Sequence, residues 1–196
     1  MKRQTVAPAF LPLAALDELK EWLAITTTRD DAALSALLRA SLDTCESFTR
    51  AMPIEALCEE VVPATRGWHS IATSPVQSIT ALETIAADGT RGAVNPGDYL
   101  FDILADGSGR VNLLRTFADT RIAVRFTAGL APDWESLPEG VRHGIIRLAA
   151  HHYRERNESG SNAPPAAVSA LWQPWRRMVI ASSNRKRGGT SASPSA

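Results

Sequence analysis

The stretch DAALSALLRASLDTCESFTRA, residues 31–51, carries the clearest helical pattern in the sequence. Its apolar residues recur at intervals of three and four and form one stripe: Leu34, Leu37, Leu38, Leu42, Cys45 and Phe48. Such a stripe is typical of an amphipathic helix, and Pro53 marks its end. We therefore predict a helix over 30–51. A second apolar stripe predicts a helix over 13–26, and the short polar turn between them predicts a helical hairpin.

The middle of the chain, residues 57–129, loses the helical period and gains turn signals. Proline, glycine and Asp-Gly pairs divide it into short candidate strands at 58–62, 76–85, 98–104, 110–114 and 121–127. The last of these alternates, with Ile122, Val124 and Phe126 on one face. Because successive strands with short turns favour antiparallel pairing, we predict a small antiparallel β insert over 57–129.

Helical patterns return near the end of the chain and predict helices over 137–157 and 164–181. The residues that follow are mostly Ser, Gly, Asn, Arg and Lys, which predicts a flexible basic tail over 182–196. The predicted fold class is α+β, mainly α, in which the helical hairpin and the two C-terminal helices form a bundle that carries the small β insert. We expect an N-terminal extension at 1–12 and a single domain at 13–181.

The net charge of zero hides a sorting of charge along the chain. Residues 1–60 hold six Lys/Arg against ten Asp/Glu, residues 61–140 hold six against nine, and residues 141–196 hold nine against two. This asymmetry indicates two surfaces with different partners, and accidental surface charge is the alternative.

Composition excludes several classes of protein. At 44% hydrophobic and 21% charged residues, the chain can bury a core. No stretch approaches the ~18 consecutive apolar residues of a membrane span, and the N-terminal residues lack a signal-peptide pattern, so we expect no membrane partner. Cys45 and Cys58 lack metal-site spacing and are expected to be reduced, buried hydrophobes.

Motifs for catalysis are missing from the sequence. It contains no GxxxxGK[ST], GxGxxG, HExxH or GxSxG pattern. His143, His151 and Glu155 could share one helical face and bind a metal, but polar helix surface explains them better because a lone pair supplies too few ligands. We therefore expect no enzymatic activity, no cofactor and no metal.

Two tryptophans and five basic residues lie close together in the sequence near the end of the chain. We predict that these seven bind a partner: Trp172, Trp175, Arg176, Arg177, Arg185, Lys186 and Arg187. Tryptophan and arginine are favoured anchors on acidic protein surfaces, and they also bind nucleic acid. A small nucleic-acid-binding protein that uses the basic C-terminal third is thus the alternative function. For the two tryptophans, core packing against the helices is the alternative role.

Several sequence blocks occur in a recognisable order. They are DELKEWL at 17–23, CESFT at 45–49, SPVQSI at 74–79, FTAGL at 126–130, HHYRER at 151–156 and PPAAVSALW at 164–172. In this order and spacing the chain resembles the head–tail connector, or adaptor, proteins of long-tailed double-stranded DNA phages and of phage-like gene transfer agents. The resemblance covers about residues 13–175.

The resemblance implies a structural protein of the virion neck, or of the neck of a phage-like particle, that is assembled in the bacterial cytoplasm. Such adaptors assemble as a ring, usually twelve-fold, beneath the portal protein. They join the portal to a stopper, neck or tail protein below and leave an axial channel through which DNA passes without sequence-specific binding. The resemblance also implies that the C-terminal segment is the part that docks on the portal.

Overall fold

Helices and strands occupy separate stretches of the chain. The computed structural model describes residues 3–7, 10–118, 121–155 and 163–177. The elements, in order, are β1 (Arg3–Ala7), α1 (Leu13–Leu23), α2 (Asp31–Thr49), β2 (Ala56–Pro63), β3 (Gly67–Ser70), β4 (Val76–Ile85), β5 (Arg91–Ala93), β6 (Tyr99–Ile103), β7 (Gly109–Leu113), β8 (Arg121–Ala128), α3 (Glu139–Arg154) and α4 (Ala166–Trp172).

The four helices pack around one core, and the stripe of α2 is central to it. Leu34, Leu38 and Cys45 are fully buried there, and the other residues of the stripe are partly buried against the same core. Helix α2 begins with Asp31, whose charge favours a helix N-terminus. It ends where Arg50 adopts a left-handed conformation at φ 58°.

The strands form two antiparallel sheets that share a second core. One sheet has five strands in the order β1-β2-β8-β4-β5, and the other has three in the order β3-β7-β6. Ile122, Val124 and Phe126 of the central strand β8 are fully buried between them. The buried carboxylate of Glu60 accepts hydrogen bonds from the backbone N–H groups of Ala72 (2.9 Å) and Thr73 (2.8 Å), which fixes the loop between β3 and β4.

The predicted fold class, mainly α with a small β insert, is wrong. In the described part of the chain 30% of residues lie in strands and 36% in helices, and the fold is a sheet-rich α+β structure. Strands β1, β3 and β5 were not predicted. Their sequences, RQTVA, GWHS and RGA, have little apolar alternation. All three lie at sheet edges, where the backbone ladder rather than buried side chains holds a strand.

Candidate partner-docking segment

The C-terminal segment, residues 163–177, lies against α2 and α3. Two prolines introduce α4, and the carbonyl of Pro165 accepts the first bonds of the helix, from the N–H groups of Val168 and Ser169 (both 2.9 Å). Proline suits the start of a helix because it has no N–H to leave unsatisfied. The segment thus has a fixed entry onto the helical layer.

Trp172, the last residue of α4, is completely buried. Its indole Nε1–H donates to the carbonyl of Val141 on α3 (3.2 Å), and its ring centroid lies 5.9 Å from that of Phe48 on α2. Gly144 makes room for it, since a methyl group at that position would come within 2.8 Å of Cε2 of the indole. In this conformation Trp172 is a core residue that anchors the segment, and its indole is not available to a partner.

Trp175 lies on the outer side of the same segment, with 37% of its surface exposed. A 3₁₀ turn over Gln173–Trp175 follows α4 directly. Pro174 cannot continue an α-helix without strain, so the helix ends at Trp172 rather than at the predicted residue 181. The turn moves Trp175 off the inner face on which the predicted longer helix would place it.

Arg176 and Arg177 lie at the carboxyl end of α2. The guanidinium carbon of Arg176 is 5.5 Å from the ring centroid of Phe48, close enough for a cation–π contact. The backbone N–H of Arg177 donates to the carbonyl of Thr49, the last residue of α2 (2.8 Å). Positive charge at this end of a helix is favourable because the helix dipole leaves unsatisfied carbonyls there.

Arg177 also reaches the turn between β6 and β7. Its Nη2 donates to the hydroxyl of Ser108 (3.2 Å) and lies 3.3 Å from a carboxylate oxygen of Asp106. Hydrogen bonds from Ser108, together with the nearby Arg177 charge, hold the pKa of Asp106 below its ordinary value. Arg177 therefore joins the helical layer to the β layer, while Trp175 and Arg176 stay on the surface.

Of the seven predicted partner-binding residues, the structure places four within one short segment. Arg185, Lys186 and Arg187, in the predicted basic tail, lie outside the described residues. Two residues that receive this segment were not predicted, namely Gly140, which faces the carbonyl of Leu171, and Gly144, which faces Trp172. Phe48 was predicted as part of the α2 stripe, but its contact with Trp172 was not. Two glycines four residues apart within an amphipathic helix are the signal that could have identified the place where another element packs closely.

The alternative functions find little support in the geometry. His143 packs edge-on against Trp22 with ring centroids 5.1 Å apart, whereas His151 pairs with Glu155, the residue that follows the end of α3 (3.0 Å). No group of three or more His, Cys, Asp or Glu side chains in the described ranges could hold a metal ion. Arg177 of the basic third is engaged by Asp106, which leaves it less able to bind phosphate.

None of the helices within residues 3–7, 10–118, 121–155 and 163–177 is long and apolar enough to cross a membrane.

Comparison with known proteins gives matches among solved structures. No family model matches the chain, and no curated protein matches it. The neck of an empty gene transfer agent particle, computed with C6 symmetry, contains a chain with a TM-score of 0.73 and 26% identity. A chain in the virion of a native gene transfer agent gives 0.70 and 27%, and one in the neck of a native particle, computed with C12 symmetry, gives 0.69 and 25%. Each match covers 92% of this chain and 97% of the other.

These matches define the class of protein. The chain is similar over nearly its whole length to structural components of phage-like particles, and two of the three matched chains lie in the particle neck. The resemblance to the head–tail connector proteins of phages and gene transfer agents, first recognised in the sequence, is thereby confirmed.

Proposed function

We propose that this protein is a head–tail adaptor that assembles as a ring in the neck of a phage-like particle, between the portal and the next neck or tail protein. The observation that carries the proposal is the match, over 92% of the chain, to neck chains whose structures were computed with C6 and C12 symmetry. A twelve-fold ring satisfies both symmetries, since six is a divisor of twelve. The role is structural, with no catalytic step and no cofactor.

The ring would leave an axial channel through which DNA passes without sequence-specific contacts. The sorted charge supports this role, because residues 1–140 together hold twelve Lys/Arg against nineteen Asp/Glu. A surface with excess negative charge repels phosphates and so does not trap a passing strand. The domain organisation that we propose is a single adaptor unit over 13–181. The proposed basic tail, 182–196, lies outside the described residues.

The C-terminal segment is the proposed portal-docking surface. Its inner side is committed to the fold through Trp172, whereas Trp175 and Arg176 stay on the surface. Tryptophan and arginine are both among the residue types enriched at the energetic centre of protein interfaces. Since the predicted tail adds Arg185, Lys186 and Arg187 to the same end, the docking surface on the portal is expected to be acidic.

The test is a double substitution, Trp175→Ala with Arg176→Ala, in particles made by the host that carries the gene. The matched control is Trp22→Ala with Arg29→Ala, an exposed tryptophan and arginine on another part of the helical layer. Two measurements apply: copurification of purified portal protein with each variant, and the fraction of particles with joined tails counted by electron microscopy.

The docking variant is expected to lose portal copurification and to give heads without tails, while the control variant behaves like the native protein. If the docking variant binds the portal normally and joins tails normally, the assignment of this segment is wrong. If the native protein is absent from purified particles, the proposed function itself is wrong.

A further inference from the structure

The outer face of the three-stranded sheet carries exposed apolar side chains. Val111 of the middle strand β7 is fully buried, so its neighbour Asn112 points away from the core. Asn112 pairs with Trp68 on one side and with Leu100 on the other. Trp68 is 48% exposed and Leu100 is 55% exposed. We call these three residues the tryptophan patch.

The charges around the tryptophan patch are partly balanced and leave a positive excess. Arg110 lies over the Trp68 ring, 4.4 Å from its centroid, and pairs with Asp102 (2.7 Å). Arg66, two residues before Trp68, is exposed and takes part in no ion pair among the described residues. The patch is therefore a preordered apolar surface around one tryptophan, with one available cation.

A second apolar surface lies at the start of α1 and has the opposite charge. Phe10 is 81% exposed and Leu13 is 77% exposed, the highest values among the large apolar side chains of the described residues. Asp17 and Glu21 follow Leu13 at four-residue intervals and so share its side of the helix. Both are exposed, and neither joins an ion pair among the described residues. We call these four residues the α1 patch.

The two patches belong to different parts of the fold. Phe10 lines a cavity with Leu42 of α2 and Ala56 of β2, whereas Trp68 lies on β3, an edge strand of the three-stranded sheet. A subunit can therefore contact one neighbour through the α1 patch and another neighbour through the tryptophan patch.

We propose that the α1 patch of one copy docks on the tryptophan patch of the next copy in the ring. The inference rests on the proposed function, because a cyclic ring requires two different, complementary surfaces on every subunit. Both patches offer large apolar side chains that are uncovered in the single chain, and the two acids on one meet the unpaired Arg66 on the other. Charge complementarity of this kind fixes the partner and the register of an interface.

The experiment is cross-linking between engineered cysteines in assembled particles. Ala14→Cys lies beside Leu13 and Ser70→Cys lies beside Trp68, both at exposed positions that leave the patches intact. The two native cysteines, Cys45 and Cys58, are fully buried, so a short bis-maleimide reaches the engineered thiols first. The double variant is expected to give a ladder of cross-linked multimers, while each single variant gives only monomer.

Charge reversal supplies a second measurement that does not depend on cross-linker reach. Asp17→Arg with Glu21→Arg is expected to lower incorporation of the chain into particles at least tenfold. Adding Arg66→Glu to the same chain is expected to restore part of the lost incorporation, because each contact then again joins opposite charges.

If particles contain normal amounts of the double-cysteine variant but cross-linking gives no ladder of multimers, this inference is wrong. The proposed function is not affected by that result. A cross-linked dimer in the Ser70→Cys single variant also overturns this inference, since that result means that two identical sheet faces meet. Failure of the charge-reversed variant to regain incorporation has the same consequence. Absence of the native chain from particles, by contrast, removes the proposed function.

Discussion

Trp172→Ala is expected to destabilise the protein far more than Trp175→Ala, because Trp172 is a core residue and Trp175 is a surface residue. Trp172 is completely buried, so the substitution empties a large site between α2 and α3. Truncation of a buried aromatic residue to alanine costs about 3–5 kcal/mol of unfolding free energy. Loss of the indole hydrogen bond also leaves the carbonyl of Val141 without that donor, at a cost of about 1 kcal/mol. We expect a total loss near the upper end of that range, about 4–5 kcal/mol.

The matched control for this prediction is Trp175→Ala in the same segment. Trp175 keeps 37% of its surface exposed, so its removal is expected to cost less than about 1 kcal/mol. Both variants are measured by thermal and urea unfolding of the purified protein. At about 2–4 °C per kcal/mol for a chain of this size, Trp172→Ala lowers Tm by roughly 8–20 °C and Trp175→Ala by less than about 4 °C. Equal shifts in the two variants would refute the assignment of Trp172 as the anchor.

Three further predictions follow from buried contacts. Gly144→Ala is expected to lower the free energy of unfolding by about 1–3 kcal/mol, measured in urea, because the new methyl group overlaps the Trp172 indole. Gly140→Ala is the control and should cause no measurable loss, since its methyl group would come no closer than 3.4 Å to the carbonyl oxygen of Leu171. Burial raises the pKa of the Cys45 thiol to about 12, so a maleimide should leave it unlabelled near neutral pH until the protein is unfolded. Hydrogen bonds from Arg91 lower the pKa of Glu59 in the folded protein below its ordinary value of 4.5. The ionised carboxylate therefore stabilises the fold fully above pH 4.5, and this stabilisation is lost as the pH falls through the lowered pKa. The stability difference between the native protein and Glu59→Gln should therefore narrow below about pH 4.5, and a constant difference would contradict the prediction.

The helical elements could be placed from sequence because each buries one apolar stripe. In α2, Leu34, Leu38 and Cys45 recur at helical spacing, and all three are fully buried. The proportion of helix to strand could not be predicted from apolar periodicity in the same way. In β8, Ala123 and Val124 are both fully buried although they point to opposite faces, so alternation weakens where a strand is covered on both sides. The edge strands give still less signal, because backbone pairing holds them.

The candidate site was predictable in location but not in the orientation of its residues. The tryptophan and arginine residues near the end of the sequence indicated the region around Trp172. The order of the sequence blocks indicated the class of protein. Which tryptophan faces inward depends on where α4 ends and on the space that Gly144 leaves on a helix 28 positions earlier. Such a contact is a property of packing between elements, and helical periodicity within one element does not encode it.

In the C-terminal segment, the residues that hold it on the fold differ from those that lie on its surface, and this difference matters for docking. A surface that also held the fold together could not change its contacts without unfolding the helical layer. Here the buried indole of Trp172 and the backbone bond from Arg177 to Thr49 hold the segment, while Trp175 and Arg176 remain on its surface. A partner can therefore cover the outer side chains at little cost in ordering, since the backbone that carries them is already fixed. This separation fits the proposed docking role, because the segment can stay folded in the free chain while its outer side chains are covered by a partner.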